Sequence, residues 1–177
     1  MTGIIDERGY RLNVGMVIVD AKGQVFWGRR MGKRDAWQFP QGGMMVGETP
    51  EEALYRELEE EVGLTEKDVN LLACTEGWLS YQLPRHFLRR RRAHQRQCIG
   101  QRQKWFLLHL KSSDASIDLA HSGHPEFQEW CWVNYWYPIK KVVHFKREVY
   151  SRALNELAPV VREHREAMLR LQGKPIE

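Results

Sequence analysis

Between Gly42 and Leu64 the chain reads GGMMVGETPEEALYRELEEEVGL, and the second half of that stretch admits few conformations. Thr49 is a helix cap, Pro50 suits a first helical position, and Glu52 completes a T-x-x-E capping box. Gly63 is placed to end the helix in the left-handed region. The spacing therefore predicts a helix from about 50 to 62. At about 100° per residue, Glu57, Glu60 and Glu61 share one face of it. Leu54, Leu58 and Val62 form an apolar stripe beside that face. The carboxylates are thus expected at the rim of a cleft, next to the core.

That placement is costly for a plain surface helix. Like charges at i,i+3 and i,i+4 repel by a few tenths of a kcal/mol per pair, and acids in a last turn oppose the helix dipole. A divalent cation reverses the sign of both effects, and hard oxygen donors favour Mg²⁺ or Mn²⁺ over softer metals. Charge is polarised along the chain as well. Glu48 to Glu61 holds seven glutamates against one arginine, whereas Arg85 to Arg96 holds six arginines and no acid. Carboxylates in one stretch and guanidiniums in another suit a polyanionic substrate handled through a bridging cation.

The remaining chain reads as α+β. Strands are predicted at Asn13–Asp20 and Gln24–Arg30, joined by a hairpin turn at Lys22-Gly23, and further on at Asn70–Leu79, Lys104–Lys111 and Phe127–Val133. Gln41-Gly42-Gly43 reads as flexible, and the arginine-rich 85–96 stretch as a long loop. Residues from about 145 to 171 have helical composition, with Pro159 marking a break or kink. With 177 residues, no repeat and no linker, one domain spanning 1–177 is expected. The longest apolar-plus-glycine run, Val14 to Val19, is far shorter than the ~20 residues that cross a bilayer. The first residues carry charge too early for a secretory signal, and three scattered cysteines suggest neither disulfide framework nor zinc cage. A cytoplasmic protein without membrane association is the expectation.

Read alone, a run of glutamates is usually a solvated face. The full spacing here, however, is G-x5-E-x7-R-E-U-x-E-E-x-G-U, with U a bulky aliphatic residue, and Gly42, Glu48, Arg56, Glu57, Leu58, Glu60, Glu61, Gly63 and Leu64 fill every fixed position. At roughly 5–7% usage per fixed residue, chance agreement is on the order of 10⁻⁹ per start site. This segment resembles the signature of the Nudix hydrolase family. The resemblance implies a Nudix fold, an α/β/α sandwich around a mixed sheet, and metal-dependent hydrolysis of a phosphoric anhydride. It implies that Glu57, Glu60 and Glu61 hold a divalent cation, most simply Mg²⁺ or else Mn²⁺, with one glutamate a possible general base. Gly42 belongs to the same metal site, and Arg56 pairs with Glu48. Glu126, just before the Phe127 strand, is the candidate for a further carboxylate at that site.

Beyond the signature, YRLNVG at 10–15, WQFPQGG at 37–43, IGQRQKWF at 99–106, WYP at 136–138 and VVHFKR at 142–147 resemble the bacterial branch of that family that acts on RNA 5′ ends. The match runs from about residue 6 to 158. It implies removal of pyrophosphate from 5′-triphosphorylated RNA, leaving a monophosphate that promotes mRNA decay. DNA is not implied as a partner, and a protein activator is left open. Candidate substrate contacts are Arg11 and Phe145 around the first base, Arg30, Gln101 and Lys104 along the phosphates, and Val143 and Lys146 nearby. Tyr81 and Trp78 read as packing residues, and Arg89–Arg92 suit an RNA backbone. Dinucleoside polyphosphates are the alternative substrates, since they too present a base and several phosphates. A non-catalytic RNA-binding module is the third reading, although none of its expected glutamate losses is present.

Overall fold

The computed structural model describes residues 3–32, 35–88, 98–171 and 173. Its centre is a strand whose residues alternate between two cores. In β1 (Tyr10–Val19), Val14, Met16 and Ile18 enter one core, while Val17 and Val19 enter the other. A strand buried on both faces reads as a nearly continuous apolar run, and VGMVIV is such a run. β7 (Gly100–Leu110) lies parallel beside it, with Phe106 and Leu108 on the first face and Trp105 and Leu107 on the second.

Other strands extend this pair antiparallel, giving a mixed sheet of eight. β2 (Val25–Arg30) returns from the predicted hairpin and pairs with β1, with β3 (Trp37–Gln38) and with β8 (Phe127–Val133). β5 (Val69–Cys74) and β6 (Leu79–Gln82) both pair with β7. The single strand expected over 70–79 is thus two. Between them Thr75 turns the chain, its hydroxyl donating to the Gly77 carbonyl at 2.9 Å. Gln41–Gly43, expected to be flexible, is β4 and pairs with Asn13–Gly15 of β1.

One face carries α1 (Pro50–Val62), with the expected cap: Glu52 N–H donates to Thr49 Oγ1 at 3.2 Å, and Thr49 N–H to Glu52 Oε2 at 2.8 Å. Gly63 ends it at φ 72°, a conformation an L side chain rarely adopts. The short α2 (Tyr137–Lys141) and the long α3 (Arg147–Leu171) follow β8. Val149, Tyr150, Ala153, Leu154, Leu157 and Val161 of α3 bury against the second face. α3 runs unbroken through Pro159, which is exposed; burial on both sides of the proline holds the helix together. Phe145 precedes it in a 3-10 turn, His144–Lys146. The result is an α/β/α sandwich. Among the described residues no helix is long and apolar enough to cross a membrane.

Candidate active site

The signature segment folds as strand, loop and helix, and Arg56 ties the three together. Its Nε donates to Glu48 Oε1 at 2.7 Å and its Nη2 to Glu48 Oε2 at 2.9 Å, a two-pronged pairing that holds the loop on the helix. Nη2 also donates to the Gly43 carbonyl at 2.9 Å, and Nη1 to Glu57 Oε1 at 2.7 Å. The hydrogen bond from Arg56 holds the Glu48 carboxyl below its usual range.

Glu57 lies directly on β4. A Cβ on Gly42 would fall 1.7 Å from the Glu57 carboxylate carbon, so only glycine admits this packing. Glu61, one turn on, is 5% exposed and accepts the Gln41 backbone N–H at 3.0 Å. Burial pushes both carboxyls above their ordinary range. For Glu57 the Arg56 contact opposes the shift, and for Glu61 the negative charge of Glu57 adds to it. Glu60 is half exposed, 3.5 Å from Arg56 Nη1.

These glutamates form one wall of a cleft of about 680 Å³. Arg11, Arg30, Gln101, Val143, Phe145 and Lys146 line it as well, so the fold brings nearly all the expected site residues into one cavity. Glu126 joins them from the residue just before β8. Met31 N–H donates to its carbonyl at 2.8 Å, and its side chain stands 3.9 Å from Arg30 Nη2. The β2–β8 register slips between Arg29 and Arg30, a bulge of the kind that re-aims a side chain beside a site. Among the described residues, the buried Nε atoms of Arg11 and Arg30 have no acceptor.

Lys104 is the exception. Its Nζ donates to the Glu76 carbonyl at 2.9 Å and is not among the cleft-lining groups. Three residues along one strand put Gln101 and Lys104 on opposite faces. Arg89–Arg92 lie outside the described residues. Trp78 packs on the α1-side core, as expected. Tyr81 does more than pack: its hydroxyl donates to Gln101 Oε1 at 2.7 Å and its ring lines the cleft.

The residues that sequence reasoning missed are mainly amides. Lys146 Nζ donates to Gln38 and Gln41 Oε1, both at 3.0 Å, and Gln41 Nε2 donates to Gln101 Oε1 at 3.1 Å. Buried Gln103 donates to Asn13 Oδ1 at 2.7 Å. Amides on an otherwise apolar strand pair (Asn13 in NVGMVIV, Gln101 and Gln103 before WFLLHL) were the available signal.

The donor set has the chemistry of a hard-cation site. Its oxygens are carboxylates, two of them buried and mutually repelling. They share a cavity without converging on one point: among the described residues no three Asp, Glu, His or Cys side chains are drawn close enough to hold an ion. The residues fit a divalent cation by donor type.

A NUDIX domain model matches residues 9–153. The RNA pyrophosphohydrolase of Saccharophagus degradans is 54% identical over 161 residues, covering 91% of this chain and 93% of that protein. The RNA pyrophosphohydrolase of Stutzerimonas stutzeri is 57% identical over 156 residues, covering 88% and 96%. Among solved structures, a binary complex of a C. elegans Ap4A hydrolase superposes with TM-score 0.62 at 18% identity, over 86% of this chain and 98% of that one. That last likeness is one of fold.

Proposed function

The chain belongs to the NUDIX domain family, whose hydrolases generally need divalent metal ions, and from that premise we propose that it is an RNA 5′-pyrophosphohydrolase. Its reaction adds water across the phosphoric anhydride of a 5′-triphosphorylated RNA, giving a 5′-monophosphate end and pyrophosphate. The observation that carries this reading is one cleft lined both by carboxylates and by Arg11, Arg30, Lys146 and Phe145. The names of the bacterial relatives support the same substrate.

Glu57, Glu60, Glu61 and Glu126 would hold the cation, with the Gly42 backbone beside them, and Mg²⁺ is the best fit with Mn²⁺ a substitute. Such an ion supplies charge neutralisation and a more acidic water. The chain's own groups do the rest. Arg11 and Arg30, whose side chains line the cleft, receive phosphate oxygens. Phe145, half-buried against Tyr81 and Phe87, offers a ring face to a base, a stacking contact worth ~1–3 kcal/mol. Lys146 is fixed by Gln38 and Gln41, so its charge is pre-positioned. One of the glutamates, Glu57 or Glu61, serves as the base that receives the proton of the attacking water. One domain performs all of this, in the cytoplasm.

The test compares kcat/KM on a 5′-triphosphorylated RNA oligomer and on diadenosine tetraphosphate, both with Mg²⁺. The expected result is a clear preference for RNA, with pyrophosphate as product. Preference for the dinucleotide would overturn the substrate reading and leave the hydrolase intact.

A further inference from the structure

A second concave surface lies beyond α2, away from the carboxylates. It has a volume of about 310 Å³ and is walled by three separate pieces of chain. The β1–β2 turn contributes Lys22, the segment after β8 contributes Trp136, and α3 contributes Arg162 and Arg165. Tyr135 and Val161, both buried, form part of its lining, and the Tyr135 hydroxyl is spent on the Leu154 carbonyl at 2.8 Å. Among the described residues no Asp or Glu lines it. Among the described residues, Lys22, Arg162 and Arg165 take part in no ion pair, whereas Arg29, Arg56 and Arg102 all do. Trp136 is 43% exposed, and its ring meets Tyr135 edge-on at 4.8 Å, which leaves a face available.

Position ties this cleft to the first one. Asn134–Trp136 border the second cleft and Lys141–Val143 border the first, with only residues 137–140 of α2 between them. At ~1.5 Å per residue that stretch interposes ~6 Å of helix. The surface of α2 is itself basic and aromatic: Tyr137 is 41% exposed, and Lys141 Nζ lies over its ring at 5.8 Å. Cations interleaved with exposed aromatic faces are what a single-stranded nucleic acid requires, because phosphates take the charges and any base can stack.

We propose that the body of the RNA, downstream of its 5′ end, crosses α2 and docks in this second cleft, with phosphates on Lys22, Arg162 and Arg165 and a base on Trp136. The inference rests on the RNA reading of the catalytic cleft and extends it into a length-dependent grip. A 5′-triphosphorylated dinucleotide is held by the first cleft alone, while a longer strand engages both.

The experiment uses the full chain, wild type and R162E/R165E, with a 5′-triphosphorylated dinucleotide and a 5′-triphosphorylated 12-nucleotide RNA. Binding of a 5′-monophosphorylated 12-nucleotide RNA is followed in parallel by fluorescence anisotropy between 50 and 200 mM salt. Both arginines are exposed, so the melting temperature should hold and separates folding from binding. For the variant, kcat/KM on the dinucleotide should stay within about twofold, while KM on the 12-nucleotide RNA rises by about 5- to 10-fold with kcat retained; losing two single-strand contacts should also flatten log Kd against log salt by ~1.4. Trp136→Leu should weaken the longer RNA selectively. Equal losses on both substrates, or none on either, would overturn the proposal, as would an unchanged RNA profile with loss of an acidic protein partner. Cleavage of neither RNA by the wild type, with the 12-nucleotide strand still bound through these arginines, would sink the functional reading while sustaining the second cleft.

Discussion

Glu61 shows how the site trades stability for chemistry. Its carboxylate is buried, receives the Gln41 N–H, and faces the negative charge of Glu57. Removing an under-compensated buried charge commonly stabilises a protein. Glu61→Gln keeps an oxygen to accept the Gln41 N–H, so in the metal-free protein it should raise Tm by roughly 2–4 °C, equivalent to about 1 kcal/mol at this size. The same variant should lose hydrolysis. A drop in Tm on calorimetry would show that the carboxylate is a structural asset. Gly42 supplies a complementary test: any side chain there collides with Glu57. Gly42→Ala should lower kcat by about tenfold or more, a scale set by the sensitivity of catalysis to ~1 Å misplacements. Unchanged kcat would mean that the Glu57 position is not critical. Lys104 points the other way. Held by the Glu76 carbonyl, it should tolerate substitution by Met with kcat/KM within about twofold, since surface changes away from a site are usually small in effect. A larger loss would return it to the phosphate path.

At the scale of elements, what could be read in advance divides by range of interaction. The bounds of α1 were legible because Thr49, Pro50, Glu52 and Gly63 are local signals, and the β8 bounds at Phe127–Val133 were as clear. β4 was hidden because Gly42 and Gly43 have no strand propensity of their own; pairing with β1 imposes the strand. Lys104 was expected on the phosphate path with Gln101, but β7 already runs from Gly100, and three residues along a strand turn the two side chains to opposite faces. The amide network joins residues more than a hundred positions apart, as in Lys146 to Gln38, and no window of sequence displays it. α3 carries a pH signature. His109 on β7 and His164 on α3 have ring centroids 4.3 Å apart, and burial lowers the proton affinity of both. Unfolding restores ordinary affinity, so protonation favours the unfolded chain as pH falls below about 6.5. Tm should therefore decline from pH 7.5 to 5.5, and His164→Gln should shrink that decline. Glu57 and Glu61 act in the opposite sense, because their raised proton affinity adds stability as pH falls toward the carboxylate range. An unaltered pH profile in His164→Gln would show that the histidine pair does not govern how α3 docks.

For the molecule as a whole, the sheet keeps two jobs apart while letting them meet at one end. α1 delivers acids from one face, and the 3-10 turn before α3 delivers Phe145 and Lys146 from the other; the cleft is where they meet. Each job fails differently: loss of an acid stops turnover, and loss of a base-stacking or phosphate contact weakens capture. Turnover depends on the first of these. The direct measurement is the rate of pyrophosphate release from 5′-triphosphorylated RNA, with and without Mg²⁺, for the wild type and for Glu57→Gln. The expected result is release that requires the ion and falls by ~10²-fold or more in the variant, a typical penalty for acid–base or electrostatic groups. Undiminished release in the presence of a chelator, or full activity in Glu57→Gln, would contradict it.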